Sequence, residues 1–487
     1  MNQTDKNYSD FNLGDYVVFK KTYTEKDFKA FSKLSGDTNP LHHNPSYAEN
    51  TKFKHPIVPL HLVASPLSAI AGTMIPGHRS LYINTSIRVM EHVPYNKELT
   101  YSAKIVAKQD ANKVISLRVL VLREKTIYME ASLNVQVRDD IKPDFYRENE
   151  IFPISNANRN RFALVTGASG YIASAIAKRL IKDGWNLVLQ YRTKNEATKN
   201  VVKFAKMHGA KTHEVTGDFL EPVQCEQILE TLKKLPQISM LIHAASPSPD
   251  SSITDLMSVN FCALRKIADT IIPNMLCAQQ GKIILLGSSA LQYHPSRWSD
   301  YIAAKSAATS FIEGVHKQFS VYGIKGHTFA LGYVQTPFSD TYRNKDQVNL
   351  LPEEVADEVA NIAKETNSKT TCTWLEPGFR QEGRYGFNEH FQTPSIPEEI
   401  SAPSSKTMSY NKNKTFIEDL FPSFFNLDRT VDLSQQKIGI TPGWDSLSHI
   451  EFLLHLEKCL SIQFSSTEMD RTTQYIELEK LVGEKSL

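Results

Sequence analysis

The chain has 487 residues, of which 41% are apolar and 22% charged, and its formal net charge at neutral pH is +2. Length suits roughly three domains, the composition excludes a disordered or fibrous protein, and the near-neutral charge speaks against a nucleic-acid or membrane surface. Five scattered cysteines (Cys225, Cys262, Cys277, Cys372, Cys459) form no Cys-x-x-Cys pair, a pattern of buried thiols in a reducing compartment. The N-terminus is polar and lacks a signal-peptide pattern, so a cytoplasmic protein is expected.

Residues 10–138 come first. Their apolar stretch Ile57–Ile75 is interrupted by Pro59, His61 and Pro66, which suits a buried central helix better than a membrane span. Four strand-like segments follow: Leu81–Met90, Glu98–Lys108, Lys113–Arg123 and Thr126–Val137. The last alternates, with Leu133, Val135 and Val137 against Asn134 and Gln136, as a half-buried strand does. One helix followed by an antiparallel sheet predicts an α+β layout. The chemical feature is the pair Asp37 and His42 within Gly36-Asp37-Thr38-Asn39-Pro40-Leu41-His42. A carboxylate and an imidazole held close together can share the two proton transfers that hydration or dehydration beside a thioester requires.

This run, with Ala48 six residues after the histidine, resembles the R-specific enoyl hydratase/dehydratase (MaoC-like) family over about residues 10–138. The resemblance implies a hot-dog fold, with Asp37 and His42 activating water and moving the α-proton while Asn39 and Pro40 shape the loop. One position departs from the family. After Ile57-Val58 the family usually has His-Gly, whose glycine N–H polarises the thioester carbonyl; here Pro59-Leu60 stands instead. An oxyanion donor is commonly worth roughly 100- to 1000-fold in rate. A degenerate hot-dog, kept for binding or dimerisation, therefore stays open beside an active one. His43, His55 and His61 lack metal-ligand spacing and are expected to be structural or at the surface.

Residues 139–160 are polar and without periodicity, which predicts a linker. From 161 to 382 short apolar runs alternate with helical patterns: Phe162–Thr166, Trp185–Gln190, Thr212–Val215, Met240–His243, Ile283–Leu286 and Gly326–Ala330. That is the pattern of an α/β, Rossmann-type, doubly wound parallel sheet. The first run enters Gly167-Ala168-Ser169-Gly170-Tyr171-Ile172. A strand, a tight turn and a helix start offer a pyrophosphate free N–H groups and the helix dipole. The second run ends Gln190-Tyr191-Arg192. No acid is present there to bind ribose hydroxyls, and Arg192 suits a 2′-phosphate, so NADPH is expected over NADH. Tyr301 and Lys305 are four residues apart and share one helix face. A neighbouring cation lowers a phenol pKa, which predicts Tyr301 as proton donor to a substrate carbonyl with Lys305 tuning it. Ser288, after a buried strand, is placed to hydrogen-bond the same oxygen.

Together these features resemble the short-chain dehydrogenase/reductase family, and within it the 3-oxoacyl reductases, over about residues 160–380. The resemblance implies a tetrad of Asn260, Ser288, Tyr301 and Lys305. It also implies cofactor contacts from Thr166, Gly167, Ser169, Gly170, Tyr171, Ile172, Arg192, Asp218 (at adenine), Ala244, Tyr301, Lys305 and Thr336. His243-Ala244-Ala245 matches the family's Asn-Ala-Gly segment loosely, and Leu331 stands where proline is usual before Gly332.

Residues 383–411 are rich in Pro, Ser and Asn and predict a flexible linker. Beyond it, Phe416–Phe425 and Thr472–Val482 look helical. Between them Trp444-Asp445-Ser446-Leu447 opens a third helix with an apolar face of Leu447, Ile450 and Leu454. A hydroxyl at such a helix start is exposed and suited to a phosphodiester. The Trp-Asp-Ser-Leu-x-His-Ile-Glu context resembles acyl or peptidyl carrier proteins over about residues 412–487. That implies a small all-α four-helix domain with 4′-phosphopantetheine on Ser446. Residues 428–487 hold ten acidic and six basic residues, a net of −4 against +6 for the remainder, which favours encounter between the two. A linker of about 25 residues spans roughly 25–30 Å root-mean-square.

The combined expectation is reduction of a carrier-bound 3-oxoacyl thioester with NADPH, then dehydration, in fatty-acid or polyketide-like biosynthesis. A condensing enzyme and a phosphopantetheinyl transferase would act in trans, and a homodimer or larger homo-oligomer is expected by family analogy. Two alternatives stay open: a ketoreductase–carrier protein with an inactive hot-dog, and a non-catalytic acyl carrier scaffold.

Overall fold

The computed structural model describes residues 6–139, 152–295, 297–342, 349–365, 370–383 and scattered residues between 417 and 485. The chain divides into two compact units, residues 1–389 and 390–487.

The first unit opens with β1 (Asp15–Thr22) and α1 (Glu25–Ser35). Thr24 and Asp27 cap α1 reciprocally, and Gly36, left-handed at φ 78°, ends it. The short α2 (Pro45–Glu49) follows the Asp37–His42 loop. The expected single helix over 57–75 is two short ones, α3 (Leu60–Ala64) and α4 (Pro66–Ala69), continued by a π-helical turn at Ile70–Met74. Pro66 has no N–H for a continuous ladder and forces the break. Then come β2 (Ser80–Val89), β3 (Glu98–Gln109), β4 (Val114–Arg123) and β5 (Thr126–Val137). Part of the expected linker is structured: β6 (Ser155–Asn156) pairs with β1, and Phe152 and Ile154 pack on the core. Two polar residues in a strand leave no periodic trace, so that element was invisible in the sequence. The six strands run in the order β2-β5-β4-β3-β1-β6. Leu62, Val63, Ile70 and Met74 are enclosed with Leu99, Tyr101, Leu117 and Val119, so the central helices sit in the curl of the sheet.

The reductase-like part runs β7 (Phe162–Thr166), α5 (Tyr171–Lys182), β8 (Asn186–Tyr191), α6 (Glu196–Met207), β9 (Thr212–Thr216), α7 (Pro222–Lys234) and β10 (Ile238–His243). It continues through α8 (Ile253–Met257), α9 (Leu264–Ala278), β11 (Gly281–Leu286), α10 (Ala290–Tyr293), α11 (Ser299–Phe319) and β12 (Ile324–Leu331). It ends with α12 (Pro337–Asp340), α13 (Pro352–Lys364), β13 (Cys372–Glu376) and β14 (Phe379–Gly383). The order β14-β13-β12-β11-β10-β7-β8-β9 is parallel except for β14, which pairs antiparallel with β13 at the edge. Both faces carry helices, so β7 is buried at every residue, as a parallel strand must be. Half-buried Lys282 on β11 donates to the carbonyls of Ile362, Ala363 and Glu365 and so satisfies the open end of α13.

The two parts of this unit share a core. Leu120, Leu122 and Ile127 of the hot-dog belong to the same apolar cluster as Leu232, Ile271 and Met275 of the reductase. Gln279, buried and left-handed at φ 49°, caps α9. Its amide donates to the Ser102 and Arg118 carbonyls, and its Oε1 accepts from Arg118 Nε at 2.6 Å. Ser102 donates to the Cys277 carbonyl, Lys104 to that of Gln279, and Arg118 Nη1 to that of Val321.

In the second unit, α14 (Tyr475–Lys485) packs into a cluster of Ile417, Phe421, Phe425, Phe452, Leu453 and Leu456. Ser446 lies outside the described residues, while Phe452 and Leu453, further along the helix expected from it, are helical. Among the described residues no helix is long and apolar enough to cross a membrane.

Candidate active sites

The first site lies where the Asp37–His42 loop meets the start of α3. Asp37 Oδ1 accepts from the Asn39 amide at 3.1 Å, and Asn39 Oδ1 accepts from the Leu41 amide at 3.0 Å, so both side chains fold the loop back on itself. His42 Nδ1–H donates to the Ile57 carbonyl at 2.8 Å. That bond sets the tautomer and leaves Nε2 facing Asp37 Oδ2, 3.7 Å away. Both groups line a cavity of about 650 Å³ together with Pro59, Leu60, Val63, His92 and Tyr128. Leu60 is the first residue of α3, where an N–H has no acceptor within the helix. α3 is held from behind: Tyr101 donates to the Val63 carbonyl at 2.7 Å, and Tyr23 and Tyr101 share a 2.6 Å hydrogen bond. The sequence singled out neither tyrosine, because one tyrosine in a strand and one in a loop give no pattern.

The second site is a cleft of about 890 Å³ at the C-terminal ends of the parallel strands. Gly167 has φ +62°, and a Cβ there would lie 2.9 Å from Ala245 Cα, so turn and neighbouring loop meet at glycine distance. Gly170 precedes α5 and directs its first amides toward the cleft. Ser169, Tyr171, Ile172, Arg192, Asp218, Ala244 and Thr336 line the same cleft. Tyr171 is 59% exposed. Arg192 Nη1 lies 3.7 Å from Asp218 Oδ2, so a cation and an acid stand together on the rim. Thr336 is turned to its own helix, where Oγ1 accepts from the Ser339 amide at 3.3 Å.

Ser288, Tyr301 and Lys305 also line the cleft, with Ser288 and Tyr301 hydrogen-bonded through their side chains. Lys305 Nζ donates to the Leu286 carbonyl at 3.0 Å and sits 5.7 Å from the Tyr301 ring centre. Their ionisation differs from the expectation that Lys305 lowers the phenol. Burial pushes Tyr301 up to about 12, with Ser288 drawing it back, and pushes Lys305 down to about 7. Both groups are enclosed, so the cation that would favour phenolate is itself disfavoured by desolvation.

Thr166 and Asn260 stand behind the cleft wall. Asn260, in a one-turn π-helical stretch (Ser258–Ala263), donates from Nδ2 to the Leu256 carbonyl at 3.0 Å, and its buried Oδ1 has no partner among the described residues. π-turns of this kind recur at functional sites. Thr166 Oγ1 accepts from the amides of Ala244 and Ala245 and is 3.0 Å from His243 Nδ1. His243 Nε2 is 3.0 Å from the Val259 carbonyl, which can only accept. The imidazole is therefore Nε2–H, with Nδ1 accepting from Thr166. Burial pushes its pKa down to about 3. The loose sequence match at His243 is thus a strut between β7, β10 and the Asn260 turn.

Two families meet in this chain. Residues 12–126 match the MaoC like domain family, and residues 161–347 match the short chain dehydrogenase family. An (R)-specific enoyl-CoA hydratase of Rhodospirillum rubrum is 30% identical over 130 residues, covering 27% of this chain and 90% of its own. Through this N-terminal part the chain belongs to the MaoC-like dehydratase family. A very-long-chain 3-oxoacyl-CoA reductase of Anas platyrhynchos is 26% identical over 191 residues, 37% of this chain and 61% of its own. A 3-oxoacyl (acyl-carrier-protein) reductase structure from Agrobacterium tumefaciens, with NADP bound, is 24% identical with a TM-score of 0.41, covering 45% of this chain and 93% of that one. The chain thus joins a hydratase-type hot-dog to a reductase-like Rossmann domain. Among the described residues no group of three or more His, Cys, Asp or Glu is arranged to hold a metal.

Proposed function

We propose that the chain reduces a 3-oxoacyl thioester with NADPH and then dehydrates the 3-hydroxy product, the acyl group riding on a phosphopantetheinylated Ser446. One observation carries this: a Ser288–Tyr301–Lys305 cleft and an Asp37–His42 cavity, two chemistries that act in succession on one thioester, stand in one compact unit. The names of the hydratase and reductase relatives support it.

The cleft fits a dinucleotide: Gly167 and Gly170 leave room for a close backbone approach, the first amides of α5 suit a pyrophosphate, and Arg192 beside Asp218 suits a 2′-phosphate near an adenine. Thr166, Ser169, Tyr171, Ile172, Ala244 and Thr336 complete the holding set. The bound nicotinamide supplies the hydride. Ser288 and Tyr301 hydrogen-bond the substrate carbonyl oxygen, and Tyr301 delivers the proton as charge grows there. A phenol held at about 12 keeps its proton until that moment. Lys305, with Asn260 behind it, supplies the route by which Tyr301 is reprotonated. In the hot-dog cavity Asp37 and His42 Nε2 remove the α-proton and return it to the departing hydroxyl, with the Leu60 amide polarising the thioester carbonyl. The exposed apolar residues of edge strand β2 (Leu81, Tyr82, Ile83) support a homodimer or larger homo-oligomer.

The test is to express the chain with a phosphopantetheinyl transferase, load 3-oxobutyryl on the carrier, add NADPH and follow the acyl mass. Gain of two hydrogens followed by loss of water is expected, and Asp37→Asn should stop at the hydroxy stage. Gain of hydrogens without water loss would favour the second reading, a reductase–carrier with an inactive hot-dog, which the Leu60 side chain at the cavity wall supports. No modification of Ser446 would refute the carrier role.

A further inference from the structure

The end of the cleft beyond Tyr301 is aromatic, and the reduction chemistry leaves it unused. Trp298, just ahead of α11, lies edge-on to Tyr301 with ring centres 6.0 Å apart at 68°, and edge-on to Tyr342 at 5.5 Å and 83°. Tyr342 is tilted against Phe338 at 6.0 Å. Its hydroxyl is hydrogen-bonded to Ser248, and its carbonyl accepts from Tyr333 Oη at 3.3 Å. Three separate segments therefore meet here: the loop after β10, the start of α11 and the segment after β12. Every one of these side chains lines the cleft, and Phe338 keeps half its surface exposed despite being apolar. An uncovered apolar surface in a concave wall, with hydroxyls gathered at one end, is the usual form of a site for a ligand with a polar head and an apolar tail. The Tyr342 hydroxyl is already taken by Ser248, so the ring offers the cleft only carbon.

We propose that Trp298, Phe338 and Tyr342 form the wall along which the acyl chain lies beyond the carbonyl held at Ser288 and Tyr301. The reductase site then selects apolar chains of medium length over the four-carbon substrate. This rests on the reductase reading of the cleft. Each methylene laid on apolar surface is commonly worth about a fourfold gain in binding. Three aromatic side chains covering several methylenes outweigh what a short chain gains. Tyr342 is a specificity-determining residue, and Ser248 positions it.

The experiment measures kcat and KM of the full chain for 3-oxobutyryl-CoA and 3-oxodecanoyl-CoA with NADPH. Wild type, Trp298→Ala, Phe338→Ala and Tyr342→Phe are compared. The alanine variants are expected to raise KM for the ten-carbon substrate about tenfold and to leave the four-carbon KM within about threefold. Tyr342→Phe, which removes only the tie to Ser248, should shift the ratio the same way by less. Equal losses on both chain lengths, or none, overturn the proposal. A second arm needs neither turnover nor a stable alanine variant: decanoyl-CoA is titrated against tryptophan fluorescence in wild type and Trp298→Phe. Quenching present in wild type and lost in Trp298→Phe supports the wall even if neither thioester is reduced, a result that sinks the reductase reading alone. Identical titrations overturn the wall whatever the turnover.

Discussion

His243→Asn isolates a single buried proton. In the native chain His243 is neutral: Nε2–H faces the Val259 carbonyl and Nδ1 accepts from Thr166. Protonation would turn Nδ1 into a donor against a hydroxyl that already accepts from two amides, inside a fully enclosed site and near Lys305. With a folded pKa of about 3 and an unfolded value near 6.5, the unfolded chain binds the proton first as pH falls. The histidine's contribution is therefore fully present above about pH 6.5 and is lost progressively toward pH 3. Between pH 7 and pH 5 the loss comes to about 2 kcal/mol. For a transition with m of about 2.5 kcal/mol per molar urea, the midpoint falls by about 0.8 M. The four tryptophans are Trp185, Trp298, Trp374 and Trp444, and none lies in the hot-dog, so fluorescence reports chiefly on the reductase part. Asparagine carries both a donor and an acceptor but does not titrate. His243→Asn should flatten the pH 7 to pH 5 difference while costing some stability at pH 7. An unchanged pH dependence in the variant would falsify the strut argument.

Three further outcomes are expected. Tyr301→Phe should cut reduction by about 100-fold or more, since it removes a positioned proton donor, with NADPH binding by fluorescence titration nearly intact. Lys282→Met should lower stability by about 1–3 kcal/mol by stranding the Ile362, Ala363 and Glu365 carbonyls, measured in urea at neutral pH. Gln279→Ala should leave Arg118 Nε without its buried acceptor and cost about 2 kcal/mol, read as faster amide exchange along β3, β4 and the end of α9.

The central architecture was legible because its signals are local. β5 alternates in and out along its whole length, and β7 and β11 are apolar runs beside glycine turns. Elements without such periodicity escaped. β6 is two polar residues, and β14 is an exposed edge strand reading Phe-Arg-Gln-Glu-Gly. For the same reason Gly383, expected to begin a linker, is the last residue of β14. In the cleft, residue types and spacing placed Ser288, Tyr301 and Lys305 together, but not their ionisation. A pKa depends on how much water the fold removes, and spacing along a helix carries no measure of that. Trp298 and Tyr342 come from segments over 40 residues apart and are joined only by the meeting of loops. Ser446, read from its sequence context, lies outside the described residues.

The joint between hot-dog and reductase combines side-chain donors with main-chain acceptors. Five of its hydrogen bonds end on peptide oxygens, those of Cys277, Gln279, Val321, Ser102 and Arg118. An acceptor of that kind is the same whatever side chain its residue bears. Cys277 or Val321 can drift to other residues without erasing the contact, whereas Ser102, Lys104, Arg118 and Gln279 donate through their side chains and carry the identity of the joint. What must be inherited with those donors is the path of the chain at the end of α9, whose left-handed turn presents the Gln279 side chain. Grafting a foreign reductase onto this hot-dog would accordingly require both that turn of the chain and a glutamine at its tip, while leaving the residues that lend only a carbonyl free to differ.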